Sequence, residues 1–355
     1  MKNKIVLTGG GTMGHISPNL ALIPILTNIF DEIHYIGGIN SLESEKVTEL
    51  KQKYSNLYFH PITSTKLDRV HIFKNFCIPF KLARANKEAN NLIKDISPKV
   101  LFSKGGYVSV PVVFAGNKNH IPIVIHESDL TMGLANKIAS RYAKTICTTF
   151  ESTAKKFKNG VWTGSPASTK LLLADPTEAI LKYKLKSNLK TICITGGSLG
   201  STPINNAIEK ILPHLVKNYN IIHITGKGKS INFKHPNYHQ LEFADNIGAI
   251  FKASNLVISR AGSNTIFELA LLKKPMLLIP LSKKASRGDQ IDNANYFKSL
   301  GIAEVLPEEK LCTLEQTLDA TLKNLNKFQH NLVKVNFSNG LTPLLNEIMK
   351  ACTLD

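Results

Sequence analysis

Short runs of apolar residues alternate along the chain with longer segments in which apolar residues recur every three or four positions. The first run, residues 5–8, ends at three consecutive glycines. Four apolar residues then follow at helical spacing: Leu20, Ile23, Leu26 and Phe30. Alternation of buried strands with amphipathic helices is typical of α/β domains with parallel sheets. The pattern therefore predicts the α/β class.

Further strand-like runs continue to the end of the chain in two groups. The first group comprises residues 33–36, 100–102, 123–125 and 145–147, and the second comprises residues 191–195, 221–224, 256–258 and 276–279. A polar stretch over about residues 164–190 separates them, and 355 residues favour two domains. We expect an N-terminal domain at 1–165, a C-terminal domain at 166–340, and a helix at 341–355 that packs back on the N-terminal domain.

A glycine-rich turn follows the first strand of each half. Residues 10–14 read GGTMG and residues 196–200 read GGSLG. Pro18 and Pro203 follow, and we expect both in the first helical turn, where a missing N–H costs little. Such a turn lets the backbone approach a phosphate, although either loop alone could be a tight turn that binds nothing. Two matched loops predict paired Rossmann-like domains.

Two common nucleotide-binding motifs are incomplete. Gly9, Gly11 and Gly14 satisfy GxGxxG, but no acidic residue ends a following strand about 20 residues on. Residues 228–230 mimic the end of a P-loop, but the first glycine of that motif would fall at His223. The sequence therefore disfavours an NAD-dependent dehydrogenase and a P-loop ATPase.

Small residues at 261–265 follow the strand at 256–258 and open a helix. A helix start of this kind suits a diphosphate, and Glu268, one turn further on, could accept hydrogen bonds from ribose hydroxyls. Thr265 and Glu268 also have the spacing of a capping box, in which Glu268 would only satisfy the helix backbone. Residues 287–293 are polar and either grip sugar hydroxyls or form a solvated loop.

In the first half, His15 stands at the start of the first helix, where the helix dipole favours a neutral imidazole that can act as a base. A surface histidine beside a turn is the alternative. Residues 126–129 (HESD) follow the strand at 123–125, where open α/β sheets place ligands. They could equally be a set of buried hydrogen-bonding residues.

The charge and the cysteine content indicate which kind of partner and which cellular compartment the sequence favours. The 44 Lys and Arg against 26 Asp and Glu give a net charge of +18, which suggests an anionic partner. Five scattered cysteines favour a reducing compartment over disulfides or a thiolate metal site. We see neither a signal-peptide core nor a run of apolar residues long enough to span a bilayer. The sequence predicts a cytosolic protein whose membrane contact is at the surface only.

Several motifs taken together resemble those of one family. They are residues 10–15 (GGTMGH), 105–109 (GGYVS), 126–127 (HE), 196–200 (GGSLG), Arg260 with Gly262 and Glu268, and 289–294 (DQIDNA). In this order, over about residues 4–300, they resemble the MurG family, the N-acetylglucosaminyltransferases of peptidoglycan synthesis at the cytoplasmic membrane face.

This resemblance implies a GT-B fold, in which two Rossmann-like domains with parallel sheets face each other across a cleft. The C-terminal domain would hold UDP-GlcNAc and the N-terminal domain the lipid-linked acceptor. The backbone near Ala244 would meet uracil, Glu268 the ribose, and Gln290 the GlcNAc hydroxyls. The resemblance assigns the diphosphate to Ser198, Ser263, Asn264 and Thr265. It assigns closure over the donor to Thr12, Met13 and Gly14.

The sequence departs from the family pattern at three positions. Met13 stands where the family has a glycine, and Asp129 stands where it often has asparagine. The arginine that usually follows the G-x-P turn would fall at Ser168, so Lys170 or another base would have to replace it. Asp129 and Ser168 are therefore the two positions at which the resemblance supports donor binding least directly.

The implied reaction is inverting transfer of GlcNAc from UDP-GlcNAc to the C4 hydroxyl of MurNAc in undecaprenyl-pyrophosphoryl-MurNAc-pentapeptide (lipid I), which gives lipid II. His15 would be the base, with Glu127 or Asp129 as second candidates, and helix N-termini would stabilise the leaving UDP. We expect neither a metal nor a cofactor, since no D-x-D carboxylate pair is present. The alternatives are a GT-B enzyme acting on another lipid such as diacylglycerol, a dehydrogenase, or a nucleic-acid-binding protein; no nucleic-acid-binding motif supports the last.

A basic and apolar segment, residues 66–104, predicts docking on an anionic membrane. It carries nine Lys or Arg and three acids. The docking residues we expect are Phe73, Phe76, Phe80, Lys74, Lys81 and Arg84, with Pro79 interrupting any helix. Aromatic residues in a core and lysines on an ordinary solvated face are the alternative. The expected location is the cytoplasmic membrane face, with UDP-GlcNAc, lipid I and proteins of cell-wall synthesis or division as partners.

Overall fold

The computed structural model describes residues 2–64, 78–283 and 286–353. The chain divides into two compact units. The first comprises Met1–Pro166 together with Asn339–Asp355, and the second comprises Ala167–Ser338. Each is an α/β unit on a parallel sheet, so the predicted fold class is confirmed.

Within its described residues, the first unit contains a sheet of seven parallel strands. They are β1 (Lys4–Thr8), β2 (Glu32–Gly38), β3 (Leu57–Ile62), β4 (Val100–Ser103), β5 (Ile123–Glu127), β6 (Thr145–Thr148) and β7 (Gly160–Trp162). The helices among them are α1 (Met13–Leu26), α2 (Leu42–Lys51), α3 (Ile78–Ile96), α4 (Ser109–Lys118), α5 (Leu134–Ala139) and α6 (Glu151–Ala154). The strand order is β3-β2-β1-β4-β5-β6-β7, so the winding reverses between β1 and β4. Open sheets bind ligands at the carboxyl ends of such strands.

The sheet of the first unit is covered on both faces. Ile5 and Leu7 of β1 pack into one core together with Leu22 of α1. Val6 points to the other face and packs into a second core with Val112 of α4. Burial on both faces explains why such a strand reads as a continuous apolar run.

In the second unit, six parallel strands form the sheet of the described residues. They are β8 (Lys190–Thr195), β9 (Tyr219–Ile224), β10 (Tyr238–Leu241), β11 (Leu256–Ser259), β12 (Met276–Leu278) and β13 (Ala303–Val305). The helices are α7 (Thr169–Leu173), α8 (Pro176–Lys182), α9 (Thr202–Asn218), α10 (Ile247–Ala253), α11 (Ser263–Leu271), α12 (Asp289–Ser299), α13 (Leu314–Lys323) and α14 (Leu325–Lys334), with a 3-10 helix at Glu308–Thr313. The order β10-β9-β8-β11-β12-β13 reverses between β8 and β11, as in the first unit.

The last helix of the chain, α15 (Leu341–Thr353), belongs to the first unit. Leu344 and Ile348 are fully buried in the core that contains Ile5 and Leu7. Gly340, just before the helix, donates its N–H to the carbonyl of Ser165 over 3.0 Å. The end of the chain thus completes the first sheet's cover.

One proline prediction is wrong. Helix α1 already begins at Met13, so Pro18 is its sixth residue and lies beyond the first turn, whereas Pro203 does lie in the first turn of α9. Pro79 is the second residue of the 19-residue α3, a position where proline is tolerated because the N–H there has no intrahelical partner. Residues 65–77 lie outside the described residues, so interruption of a helix by Pro79 stays a prediction.

Among the described residues, no helix is both long and apolar enough to cross a bilayer.

Candidate active site

In the first unit, the loops that follow β1 and β4 pack directly against each other. The N–H of Gly10 donates to the carbonyl of Gly105 over 3.3 Å. Gly106 has φ +88°, and a Cβ built on it would lie 2.2 Å from the Gly10 carbonyl oxygen. Glycine is required there because a side chain would force the two loops apart.

A buried carboxylate, that of Glu43 in α2, fixes the loop after β1. Its Oε2 accepts the N–H of Gly11 over 3.2 Å, and its Oε1 accepts the N–H of Gly38 over 3.0 Å. The sequence does not single out Glu43, because a glutamate in the first turn of a helix ordinarily serves the helix dipole. Its position shows that the glycine loop is held from outside as well as by its own turn.

His15 is the third residue of α1 and is partly exposed. Thr12 precedes the helix, and its Oγ1 lies 3.1 Å from Nδ1 of His15. When Nδ1 carries the proton and donates to Thr12, Nε2 is left as the proton acceptor of the ring. This geometry suits a general base, and that role for His15 stays a prediction.

Glu127 ends β5 and is buried. Its carboxylate accepts the backbone N–H groups of Asp129 and Gly133 and the side-chain amide of Asn136, each over 3.0 Å. Three donors therefore hold the carboxylate in place, and it in turn shapes the loop after β5. The contacts give Glu127 an organising position, and its predicted catalytic role is left open.

His126 is wholly buried beside Glu127. Its Nε2 lies 3.1 Å from the carbonyl oxygen of Gly164 and so carries the proton, while Nδ1 has no hydrogen-bond partner among the described residues. Burial and the nearby Lys104 hold the pKa of His126 well below its usual range. Of the two interpretations of residues 126–129, buried hydrogen bonding describes the first three, whereas Asp129 is partly exposed.

In the second unit, the loop after β8 is also glycine-rich. Gly200 has φ +66°, and a Cβ there would lie 2.0 Å from the Thr225 carbonyl oxygen. Gly197 has φ +87°, and a Cβ built on it meets no described atom within 4 Å. Ser198, a predicted diphosphate ligand, is exposed beside this open space.

Helix α11 begins at Ser263, and its N-cap is Gly262. Gly262 has φ −68° and ψ 130°, a conformation open to every residue, and a Cβ built on it meets no described atom within 4 Å. Neither the backbone conformation nor the neighbouring atoms require a glycine at this position. Serine, asparagine or aspartate would cap the helix better, so the stability of α11 does not explain the glycine. The open space in front of Ser263, Asn264 and Thr265 is compatible with an anion at the helix start.

The capping-box alternative for Thr265 and Glu268 is wrong. Thr265 is the third residue of α11 and Glu268 the sixth, so Glu268 lies beyond the helix start. Its carboxyl group makes no hydrogen bond or ion pair with any residue that the structure describes, and burial raises its pKa to about 7. Glu268 is nevertheless partly exposed, and a carboxyl that a ligand can reach and that has no described partner is suited to accept hydrogen bonds from ligand hydroxyls.

Arg260, buried at the end of β11, ties the strand-end loops of the second unit together. Its guanidinium donates to the carbonyl of Ile279 over 3.2 Å, to Oγ of Ser201 over 2.7 Å and to the carboxylate of Glu308. Ser201 is the N-cap of α9. The motif contained this arginine, but its partners could not be predicted because they lie 19 to 59 residues away.

Three further residues of the second unit are predicted to contact the donor: Gln290, Ala244 and Ser168. Gln290, in the first turn of α12, accepts the N–H of Leu281 through Oε1 over 3.1 Å. This hydrogen bond fixes the orientation of the side-chain amide, including its N–H₂ group. Ala244 follows β10 and is partly exposed beside Phe243. Ser168 is the N-cap of α7.

The predicted membrane-docking residues fall partly outside the described residues. Phe73, Lys74 and Phe76 lie outside them. Phe80 is 82% exposed in the first turn of α3, and Lys81 is exposed beside it. Arg84 pairs with Glu88 one turn on, at 2.8 Å.

Comparisons with known proteins identify the family. The model of the glycosyltransferase family 28 N-terminal domain matches residues 5–148, and that of the C-terminal domain matches residues 191–341. The chain belongs to glycosyltransferase family 28. Both predicted Rossmann-like halves therefore belong to one enzyme family, and the prediction of a glycosyltransferase is confirmed.

Two full-length relatives of this family 28 chain share the name UDP-N-acetylglucosamine–N-acetylmuramyl-(pentapeptide) pyrophosphoryl-undecaprenol N-acetylglucosamine transferase. The protein of that name from Clostridium tetani is 42% identical over 100% of this chain and 99% of its own. One from Clostridium botulinum is 44% identical over 98% of this chain and 99% of its own. The crystal structure of MurG from Acinetobacter baumannii matches with a TM-score of 0.75 at 22% identity, over 98% and 99% of the two chains. The predicted GT-B fold and the resemblance to the MurG family are confirmed.

Proposed function

We propose that this family 28 enzyme transfers GlcNAc from UDP-GlcNAc to the C4 hydroxyl of MurNAc in lipid I, forming lipid II, with inversion at the anomeric carbon. The observation that carries the proposal is identity of 42% along the whole chain to a relative named for this transfer. The open space beside Gly197 and in front of the α11 helix start supports the proposal, because a diphosphate could lie there.

The chemistry needs a base, a positioned donor and stabilisation of the leaving group. Nε2 of His15 takes the proton of the acceptor hydroxyl while its oxygen attacks the anomeric carbon. The bond from that carbon to the diphosphate breaks, and its electron pair leaves with UDP. N–H groups at the start of α11 stabilise the charge that develops on the diphosphate.

The second unit binds the donor through residues from different strand ends. Glu268 accepts hydrogen bonds from the ribose hydroxyls, and the backbone near Ala244 meets uracil. Ser198, Ser263, Asn264 and Thr265 surround the diphosphate, and Gln290 binds GlcNAc hydroxyls through its amide N–H₂. Thr12, Met13 and Gly14 close over the donor.

We place the enzyme at the cytoplasmic face of the membrane, held by the start of α3 and the segment before it. A polyprenyl diphosphate stays in the bilayer, so the enzyme has to reach it there. Exposed Phe80 beside basic Lys81 supports this placement, as does the net charge of +18. Proteins of cell-wall synthesis or division are the partners such a location offers.

The decisive experiment is transfer of radiolabelled GlcNAc from UDP-GlcNAc to purified lipid I. UDP-glucose serves as the competing donor and diacylglycerol as the competing acceptor. We expect labelled lipid II and little transfer in the other combinations. Efficient labelling of diacylglycerol, with none of lipid I, would favour the alternative acceptor.

A further inference from the structure

Lys104 is a lysine with almost no contact with solvent. It directly follows β4, and only 1% of it is exposed. Removing an ammonium group from water is costly unless other groups replace its hydration, and burial lowers the pKa of Lys104. The proposed transfer gives Lys104 no role that would explain why a lysine is buried at this position.

The side chain of Lys104 reaches across to the loop after β5. Its Nζ lies 2.6 Å from Oγ of Ser128 and 3.5 Å from the carbonyl oxygen of His126. Its backbone N–H donates to the Thr8 carbonyl over 2.9 Å, at the end of β1. One residue therefore connects the ends of β1, β4 and β5, the strands whose loops carry the predicted base and the Glu127–Asp129 segment.

The loop that Lys104 reaches contains two acidic residues. The carboxylates of Glu127 and Asp129 favour the protonated form of Lys104, whereas its burial favours the neutral form. In either form the Nζ group can hydrogen-bond to the Ser128 hydroxyl, so the contact with the loop after β5 does not depend on the charge of Lys104.

We propose that Lys104 is a positioning residue for the acceptor: through Ser128, its Nζ group holds the loop at 128–133 in place beside the loops that follow β1 and β4. The inference rests on the proposed function, in which the first unit binds a lipid-linked diphosphate. Lys104 itself is too deeply buried to touch that ligand.

The test separates acceptor binding from donor binding. We expect Lys104→Met to raise the acceptor KM about tenfold, the effect of losing a buried hydrogen bond, while the donor KM stays within about twofold. Ser128→Ala, which removes one hydroxyl and spares the fold, is expected to raise the acceptor KM in the same direction by less. Lys118→Met, an exposed lysine at the end of α4, is the matched charge control.

The two variants remove opposite ends of one contact, so their effects on the acceptor KM are expected to agree in direction. An acceptor KM that neither Lys104→Met nor Ser128→Ala changes overturns the proposal. If Lys104→Met does not fold, Ser128→Ala decides by the same measurement.

Hydrogen exchange gives a readout that does not depend on turnover. Amides of residues 128–133 are expected to exchange faster in Lys104→Met or Ser128→Ala than in the wild type. Unchanged exchange there overturns the positioning role even if the protein is active. The wild type could fail to transfer GlcNAc to lipid I while residues 128–133 still exchange faster in the variants. That result would contradict the proposed function but support the role of Lys104 in holding this loop.

Discussion

The hydroxyl of Thr12 lies 3.1 Å from Nδ1 of His15, just where the loop after β1 becomes helix α1. The Thr12 hydroxyl thus contacts an imidazole three residues away. A hydroxyl at Nδ1 can hold the tautomer that leaves Nε2 unprotonated, which is the form a general base needs. Glu43 reinforces the geometry because it fixes the N–H of the preceding Gly11.

We predict that His15→Ala lowers kcat by about 10²–10⁴, the usual contribution of a general base. Donor KM is expected to change little, because the donor-binding residues belong mainly to the second unit. Single-turnover measurement with lipid I checks the chemical step directly. Near-normal turnover would remove His15 from the mechanism and turn attention to Asp129 and Glu127.

Thr12 offers an independent check of the same pair. Thr12→Val keeps the shape of the side chain and removes the hydroxyl, so we expect a smaller fall in kcat than in His15→Ala. In a Thr12→Val/His15→Ala double variant the two losses are expected not to add, since they act through one group. Additive losses would mean that Thr12 acts on the donor without involving His15.

We predict that Glu268→Gln weakens donor binding by about 1.5–3 kcal/mol, the value of hydrogen bonds to a charged group. Stability is expected to hold, because Glu268 lies outside the cap of α11 and contacts no described partner. Isothermal titration with UDP-GlcNAc and thermal melting separate the two effects. A lowered melting temperature with unchanged affinity would point to a structural role.

The raised pKa of Glu268 also predicts a pH dependence. Its pKa of about 7 in the folded chain, above the ordinary 4.5, means that the protonated form favours folding. This contribution to stability is complete below pH 4.5 and is lost as the pH rises through about 7. Ribose hydroxyls prefer the ionised form, so donor affinity is expected to increase from pH 6 to pH 8. Glu268→Gln is expected to flatten both profiles, and a wild-type affinity that stays constant over this range would contradict the assignment.

We predict that Gly262→Ser preserves or slightly raises stability while it weakens donor binding about tenfold. Serine is the better N-cap by a few tenths of a kcal/mol, and the backbone of Gly262 accepts it. The added side chain would enter the open space in front of α11, where the diphosphate is proposed to lie. Asn324→Ser, at the N-cap of α14, is the matched control. Unchanged donor affinity in a stable Gly262→Ser would place the diphosphate elsewhere.

The interior strands could be predicted from the sequence, but the edge strands could not. The pattern does not predict β3, β7, β10 or β13, and all four lie at sheet edges. Each is partly exposed. Polar residues interrupt β3 (LYFHPI), β10 (YHQL) and β13 (AEV), and β7 (GVW) is only three residues long. A continuous apolar run identifies a strand only when both of its faces are buried.

The motifs located both candidate sites, but not the groups that hold them in shape. Glu43 reaches Gly11 across 32 residues, and Arg260 reaches Glu308 across 48. Such partners meet only through the order of strands in the sheet, which no local pattern encodes. The status of Thr265 and Glu268 was undecidable for a related reason: a spacing of three fits a capping box, and only the start of α11 at Ser263 excludes it.

The last prediction concerns membrane binding by the start of α3. Phe80 is 82% exposed, so Phe80→Ser removes no core contact and is expected to leave the fold intact. Aromatic side chains that insert into the bilayer strengthen membrane binding, so their removal weakens it. Each basic residue near an anionic surface adds about 1 kcal/mol. We expect weaker co-sedimentation with anionic vesicles for Phe80→Ser, and much weaker binding for Phe73→Ser/Phe76→Ser/Phe80→Ser.

Salt and matched variants identify the cause of any loss. High salt is expected to release wild type from the vesicles, because screening removes the contribution of Lys81 and its basic neighbours. Val333→Ser removes a 75% exposed apolar residue from α14 of the second unit and is expected to bind like wild type. The folded triple variant is expected to turn over soluble acceptor analogues normally but membrane-embedded lipid I slowly. If it binds vesicles and uses embedded lipid I as well as wild type does, the docking surface lies on another part of the enzyme.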